Sequence, residues 1–174
     1  MKLKKICISL LIFSFIGVIG LYGQKQKKVE ALNWQKLAPF LIDIKGWKAE
    51  GKAEGQKMAF GEFSTSQAER NYTSGKKSLN IQIVDSAYAP MVLAGYKSMA
   101  AFEMNTSEEY IKKVTIKGFT GVEHYTYKNK EAELWIAVSD RFLVKLGGEN
   151  FKNSAELIKI ANLLSLKKLA ALAK

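Results

Sequence analysis

Residues 122–146, VEHYTYKNKEAELWIAVSDRFLVKL, decide the fold. Three apolar runs, Val122 to Tyr127, Ala132 to Val138 and Phe142 to Leu146, are separated by the polar turns Lys128-Asn129-Lys130 and Ser139-Asp140-Arg141. Short runs rich in β-branched and aromatic residues, joined by turns this tight, read as adjacent antiparallel strands. The turn lengths also suggest a register. Val138 opposite Phe142 places Ile136 against Val144 and Leu134 against Leu146. Lys128 opposite Glu131 places Tyr127 against Ala132 and Tyr125 against Leu134. One side of this sheet is apolar. The other carries His124 beside Trp135 beside Lys145, surrounded by Thr126, Glu133, Ala137 and Leu143. A tryptophan between a histidine and a lysine is a candidate binding platform. The plainer alternative is cross-strand packing beneath an N-terminal helix or Trp47.

Working outward, Ser78 to Val84 alternates Leu79, Ile81 and Ile83 with Ser78, Asn80 and Gln82, a strand with one buried side. The loop Asp85 to Pro90 follows, with Asp85 and Tyr88 as candidate ligand contacts; ordinary turn chemistry accounts for it equally. Pro90 suits a first helical turn, and Met91, Ala94, Gly95, Ser98, Met99 and Phe102 fall on one helical face. Tyr110 to Lys117 is a further strand with Val114 and Ile116 inward. Gly147-Gly148 reads as the end of the sheet. Ala155 to Leu164 is a helix capped by Asn153 or Ser154, and Leu166 to Ala173 a last helical turn.

On the N-terminal side, Val29 to Ile42 carries a helical apolar stripe that Pro39 bends or ends. Lys48 to Gln56, KAEGKAEGQ, reads as a loop or hairpin edge, and Met58 to Tyr72 as an extended hairpin region. The order of elements predicts an α+β fold: a mainly antiparallel sheet of about six to seven strands packed with helices as an α-β-α-like sandwich.

The chain opens with a different kind of sequence. Lys2, Lys4 and Lys5 precede Ile6 to Gln24, 19 residues without charge. A basic start, an apolar run and the small residues Gly17, Gly20 and Gly23 have the layout of an export signal. A spanning helix needs about 20 apolar residues, so an uncleaved anchor fits too. The expected organisation is a signal or anchor over 1–24, a tether over 25–28 and one domain over 29–174. The domain is expected in the periplasm or outside the cell, or held at the outer face of the inner membrane.

Composition limits the chemistry. Cys7, the only cysteine, lies at the start of the apolar run rather than after it and is not placed for lipid attachment. A chain without the first 24 residues therefore has no disulfide, thiolate metal site or cysteine nucleophile. His124 is the only histidine, with no metal-ligand spacing around it. No Gly-x-Ser-x-Gly elbow or phosphate-loop spacing occurs. No catalytic residue, metal site or cofactor is expected. The net charge of +11, or +8 without Lys2, Lys4 and Lys5, is almost all lysine. Nucleic-acid readers favour arginine, and only Arg70 and Arg141 are present, so no nucleic-acid partner is expected.

Several short matches accumulate: Leu37-Ala38-Pro39, Gly46-Trp47, Ala68-x-Arg70-x-Tyr72, Ile83-Val84-Asp85, Gly95-Tyr96 and Asp140-Arg141-Phe142-Leu143-Val144. With these the chain resembles a family of small, uncharacterised exported bacterial proteins, over about Val29 to Leu169. The order of elements is also similar to the PsbP/Mog1-type sandwich. That resemblance implies a binding or accessory role and brings no functional residue with it. The expected function is non-enzymatic binding of a protein partner or the cell envelope, through His124, Trp135 and Lys145 or through Asp85 and Tyr88. The alternative is a carrier of lipid or a small apolar ligand, in a cavity lined by Met91, Met99, Phe102 and Ile81. A hydrolase-type enzyme is third, requiring His124 to meet a serine or carboxylate in a cleft.

Overall fold

The computed structural model describes residues 29–61, 63–87 and 90–173. The signal or anchor, the tether, Cys7 and Tyr88 lie outside the described residues. Eight strands form one antiparallel sheet: β1 Lys48–Phe60, β2 Phe63–Ser74, β3 Lys77–Asp85, β4 Met104–Asn105, β5 Glu109–Ile116, β6 Phe119–Thr126, β7 Glu131–Val138 and β8 Phe142–Glu149. Their spatial order is β1-β2-β3-β8-β7-β6-β5-β4. Helix α1, Pro90–Ala100, carries the chain from β3 over one side of the sheet towards the far edge. Helices α2, Ala155–Ala161, and α3, Leu166–Ala171, close the chain on the other side.

The main core lies on that second side. Leu79, Ile81, Ile83, Leu134, Ile136, Val144 and Leu146 alternate inward and meet Leu157, Ile160, Leu166 and Leu169 of the closing helices. Each such side chain, taken fully out of water, contributes about 1.5–3 kcal/mol. A smaller cluster on the opposite side joins Leu93 and Tyr96 of α1 to Val122 and Leu143. We call these the core face and the α1 face.

The expected sheet of six to seven strands packed with helices is corrected by this architecture. Among the described residues there are eight strands, 49% is strand and only 20% helical, and the helices are short. Val29 to Ile42 forms two 3-10 turns, Trp34–Lys36 and Ala38–Phe40, with no α-helix. Pro39 sits in the second turn, and the carbonyls that a helix would use are taken by the sheet. Arg70 Nη1 donates to Leu41 O at 3.0 Å, and Tyr72 Oη to Ile42 O at 2.9 Å.

The added strand is β1. Its sequence, KAEGKAEGQKMAF, has no apolar alternation, yet it pairs with β2 from Lys48↔Thr73 to Phe60↔Phe63, with an irregularity between Glu50 and Glu54. The Trp34 ring lies across it at Gly55, where a Cβ would come within 2.9 Å of the ring and 2.3 Å of Gln67 O. The sheet does not end at Gly147-Gly148 either: β8 runs to Glu149, and both glycines pair with β3 and β7.

The β7–β8 pairing is Val138↔Phe142, Ile136↔Val144 and Leu134↔Leu146, as the turn length indicated. The β6–β7 register differs by two residues, with Tyr125↔Ala132 and Thr126↔Glu131. The connecting loop is the longer Tyr127–Lys130, and Lys130 turns the chain with a φ of 53°. A slip of two preserves which side each residue faces.

Candidate functional site

The α1 helix covers only part of its face. The uncovered part carries a connected row of charged and aromatic side chains. His124 Nε2 lies 2.7 Å from Glu109 Oε2 on β5, and His124 Nδ1 lies 3.7 Å from Glu133 Oε2 on β7. Glu133 Oε1 in turn accepts a 3.0 Å contact from Lys145 Nζ on β8. The Lys145 ammonium lies 4.5 Å from the Trp135 ring centroid, a cation–π arrangement. The pleat explains the grouping: Glu109, His124, Glu133, Trp135 and Lys145 all point to the same side. All four ionic side chains keep a quarter to a third of their surface in water, so each pair contributes at most about 1 kcal/mol.

The structure therefore brings His124, Trp135 and Lys145 together, with a change of neighbour. Trp135 is paired directly with Lys145, while His124 is opposite Glu133, and Val122 is opposite Trp135. Neither proposed cover lies here. Trp47 stacks on Phe151 at 5.9 Å on the core face, and the N-terminal 3-10 turns pack there too. Trp135 packs instead against the α1 cluster, and its buried indole N–H has no hydrogen-bond acceptor among the described residues.

Beside this row the sheet surface is hollowed into an open trough of about 440 Å³. Gly147 is its floor: a Cβ there would meet nothing closer than 3.8 Å. Its backbone therefore does not require glycine, and any larger side chain would fill the hollow. Asn80 and Asn71, joined by a 2.8 Å hydrogen bond, form one wall. Glu50, Glu131, Glu133 and Glu149 surround it, against one cation, Lys145. Of these four carboxylates, only Glu133 is in an ion pair among the described residues. In a chain of net charge +11 this surface is locally acidic. Sequence reasoning placed Glu133 beside the platform but took Gly147 for a strand stop. The shared parity of residues 131, 133, 145, 147 and 149 was the available signal.

The structure places Asp85 in the interior, where its partners are groups of the chain itself. It is fully buried and holds Arg141 through two bonds, Nε to Oδ1 and Nη2 to Oδ2, each 2.9 Å. It also accepts the backbone N–H groups of Leu32 at 2.8 Å and Ala87 at 2.9 Å. All of its acceptor capacity is used to tie the chain entry to β3 and β8.

Of the residues expected to line a carrier cavity, the Met91 side chain lies outside the described residues, and the other three do not converge: Ile81 is buried on the core face, Met99 packs in the α1 cluster, and Phe102 is about half-exposed. The His124–Glu109 contact supplies the carboxylate that an acid–base site needs, but His124 lies outside the trough lining and has no hydroxyl partner among the described residues. Among these residues no group of three or more His, Cys, Asp or Glu is arranged to hold a metal ion. No helix among them is long and apolar enough to cross a membrane. No family model, curated protein or solved structure matches this chain.

Proposed function

We propose that the chain is an exported, non-enzymatic binding protein whose partner is a protein presenting an extended, lysine-rich segment. The observation that carries this reading is the acidic trough on a strongly basic chain. Glu50, Glu131 and Glu149 lack cationic partners among the described residues, while the rest of the molecule repels positive charge at longer range. A basic segment laid along the Gly147 floor meets these carboxylates, with Asn71 and Asn80 offering amide groups to its backbone. Export rests on the layout of residues 1–24 and agrees with the resemblance to small exported bacterial proteins.

Titration with a short oligolysine peptide, followed by calorimetry at low and physiological salt, tests this. Binding is expected to be salt-sensitive and to be lost in Gly147→Leu, which fills the trough, and in the pair Glu131→Gln with Glu133→Gln. Binding that ignores both changes, or none at all, overturns the proposal. Non-specific attraction is not a competing explanation, because the probe and the protein carry the same sign.

A second reading rests on the 2.7 Å contact between His124 and Glu109, an orienting pair of the kind acid–base catalysts use. It requires a hydrolytic activity that disappears in His124→Gln. Screening acyl and phosphoryl esters with wild type and that variant separates the two readings.

A further inference from the structure

We propose that the tip of the β1–β2 hairpin is a membrane contact that dips into an anionic bilayer beside the N-terminal apolar segment. The inference goes beyond the trough and takes residues 6–24 as the part of the chain embedded in lipid.

Three observations carry it. The first is shape. The last pair between β2 and β3 is Ser66↔Asp85, whereas β1 and β2 continue to Phe60↔Phe63. Three residues of each strand therefore project past the sheet as a two-stranded ribbon, about 10 Å at the strand rise. Such a ribbon, paired on one side only, is weakly stable by itself.

The second is surface chemistry. Met58 and Phe63 on this ribbon are 58% and 65% exposed, among the most exposed large apolar side chains of the molecule. In sequence they are bracketed by Lys57 and Ser64, with one acid, Glu62, between them. A projecting apolar tip with a lysine at its base suits the boundary between lipid tails and headgroups.

The third is where the chain begins. Glu30 Oε2 lies 3.4 Å from Lys57 Nζ, and the Ala31 N–H donates to Ser64 Oγ at 3.2 Å. The Glu30 carbonyl accepts from Arg141 Nη2 at 3.1 Å, which fixes the entry point at this end of the sheet. Only residues 25–29 separate this point from Gln24, a reach of at most about 22 Å for an extended chain. The headgroup zone is about 5–8 Å deep on each side, so a bilayer holding residues 6–24 lies within range of the ribbon. Lys25, Lys27 and Lys28 in the tether add attraction to anionic lipid.

The test uses the full chain in vesicles of phosphatidylcholine and phosphatidylglycerol that carry a lipid-borne quencher. An environment-sensitive fluorophore is placed at native Cys7, or, with Cys7→Ser, at Phe63→Cys, Met58→Cys or Asn129→Cys. Asn129 lies in the β6–β7 loop at the opposite end of the strands. The expected result is a blue shift and quenching at positions 7, 58 and 63, with neither at 129. Quenching at 7 with positions 58 and 63 as water-exposed as 129 overturns the tip contact alone. An unquenched label at 7 overturns the embedded segment and the proposal together. A blue shift at 58 or 63 that the quencher does not reach means protein covers the tip, and this also overturns it.

Discussion

Arg141 and Asp85 meet inside the protein in a two-pronged ion pair, with both bonds at 2.9 Å and the carboxylate fully buried. The pair joins the start of β8 to the end of β3, and its spare atoms hold Glu30 O and Leu32 N of the entering chain. Ser86 completes the joint by donating its N–H and Oγ–H to Arg141 O at 2.9 and 2.8 Å. Removing one partner of such a pair leaves a buried charge uncompensated, which costs about 3–5 kcal/mol. Arg141→Met is therefore expected to lower the unfolding free energy measured by urea titration by that amount. The double change with Asp85→Asn is expected to recover part of the loss but not all, because Arg141 also serves Glu30 O. Equal stability of wild type and Arg141→Met would show the pair to be dispensable.

The two neighbouring glycines of β8 are expected to behave oppositely. A Cβ on Gly148 would sit 2.0 Å from Ser78 O and 2.8 Å from the Phe151 ring. Gly148→Ala must push two strands apart and is expected to cost at least about 1–3 kcal/mol. Gly147→Ala meets no such obstacle and is expected to be neutral or stabilising by about 0.5–1 kcal/mol, since glycine weakens a strand. Thermal unfolding of both variants checks the contrast.

Glu123 and Ser154 form another buried contact, this time on the core face. Ser154 Oγ donates to Glu123 Oε2, and Tyr110 Oη lies 2.7 Å from the same Oγ. Ser154 precedes α2, but its side chain makes no cap bond to the helix; Asn153 Oδ1 accepts the Ala155 N–H instead. Ser154→Ala is thus expected to cost about 1–3 kcal/mol through the stranded carboxylate rather than through helix capping. In the background of Glu123→Leu the same substitution should cost much less. A double-mutant cycle by chemical denaturation measures this coupling.

Burial raises the phenol pKa of Tyr72, Tyr96 and Tyr125 above the ordinary 10.0. In the unfolded chain these groups release protons near pH 10, so above that pH the unfolded state binds fewer protons than the folded one. Stability is then full below pH 10 and falls as pH rises from there through the folded-state values. Alkaline unfolding is expected, with phenolate absorbance and loss of circular dichroism rising together. Tyr72→Phe removes one such proton and should soften the pH dependence, though losing the bond to Ile42 O lowers stability at neutral pH. Phenolate absorbance that saturates well before unfolding would contradict this.

What could be read from the chain followed its apolar alternation. Leu134, Ile136 and Val138 opposite Leu146, Val144 and Phe142 were legible because a three-residue turn and one buried face leave a single register. Trp135 and Lys145 came with it, being locked to the same strands. Strand β1 was not legible, because an edge strand needs no buried face and KAEGKAEGQ carries no period-two pattern. The two-residue slip at Tyr127 reflects a loop whose length depends on Lys130 adopting positive φ, which lysine does not announce. The Asp85–Arg141 pair lay hidden because each residue, taken alone, looks like an ordinary strand end or turn. The trough escaped because its floor is the absence of a side chain.

The strand order has a consequence for how the molecule is put together. Strands β1 to β3 form one meander and β4 to β8 another, and they touch through a single pairing, β3 with β8. Every other strand contact joins neighbours in sequence, so only one junction has to be found across a long stretch of chain. The polypeptide crosses between the two meanders only once, in the segment that leaves β3 and enters α1. The domain is thus a two-piece object with one seam, and the Asp85–Arg141 pair is the rivet at its end. Two separate polypeptides cut between β3 and α1 would each keep a complete run of hairpins and share one mating edge.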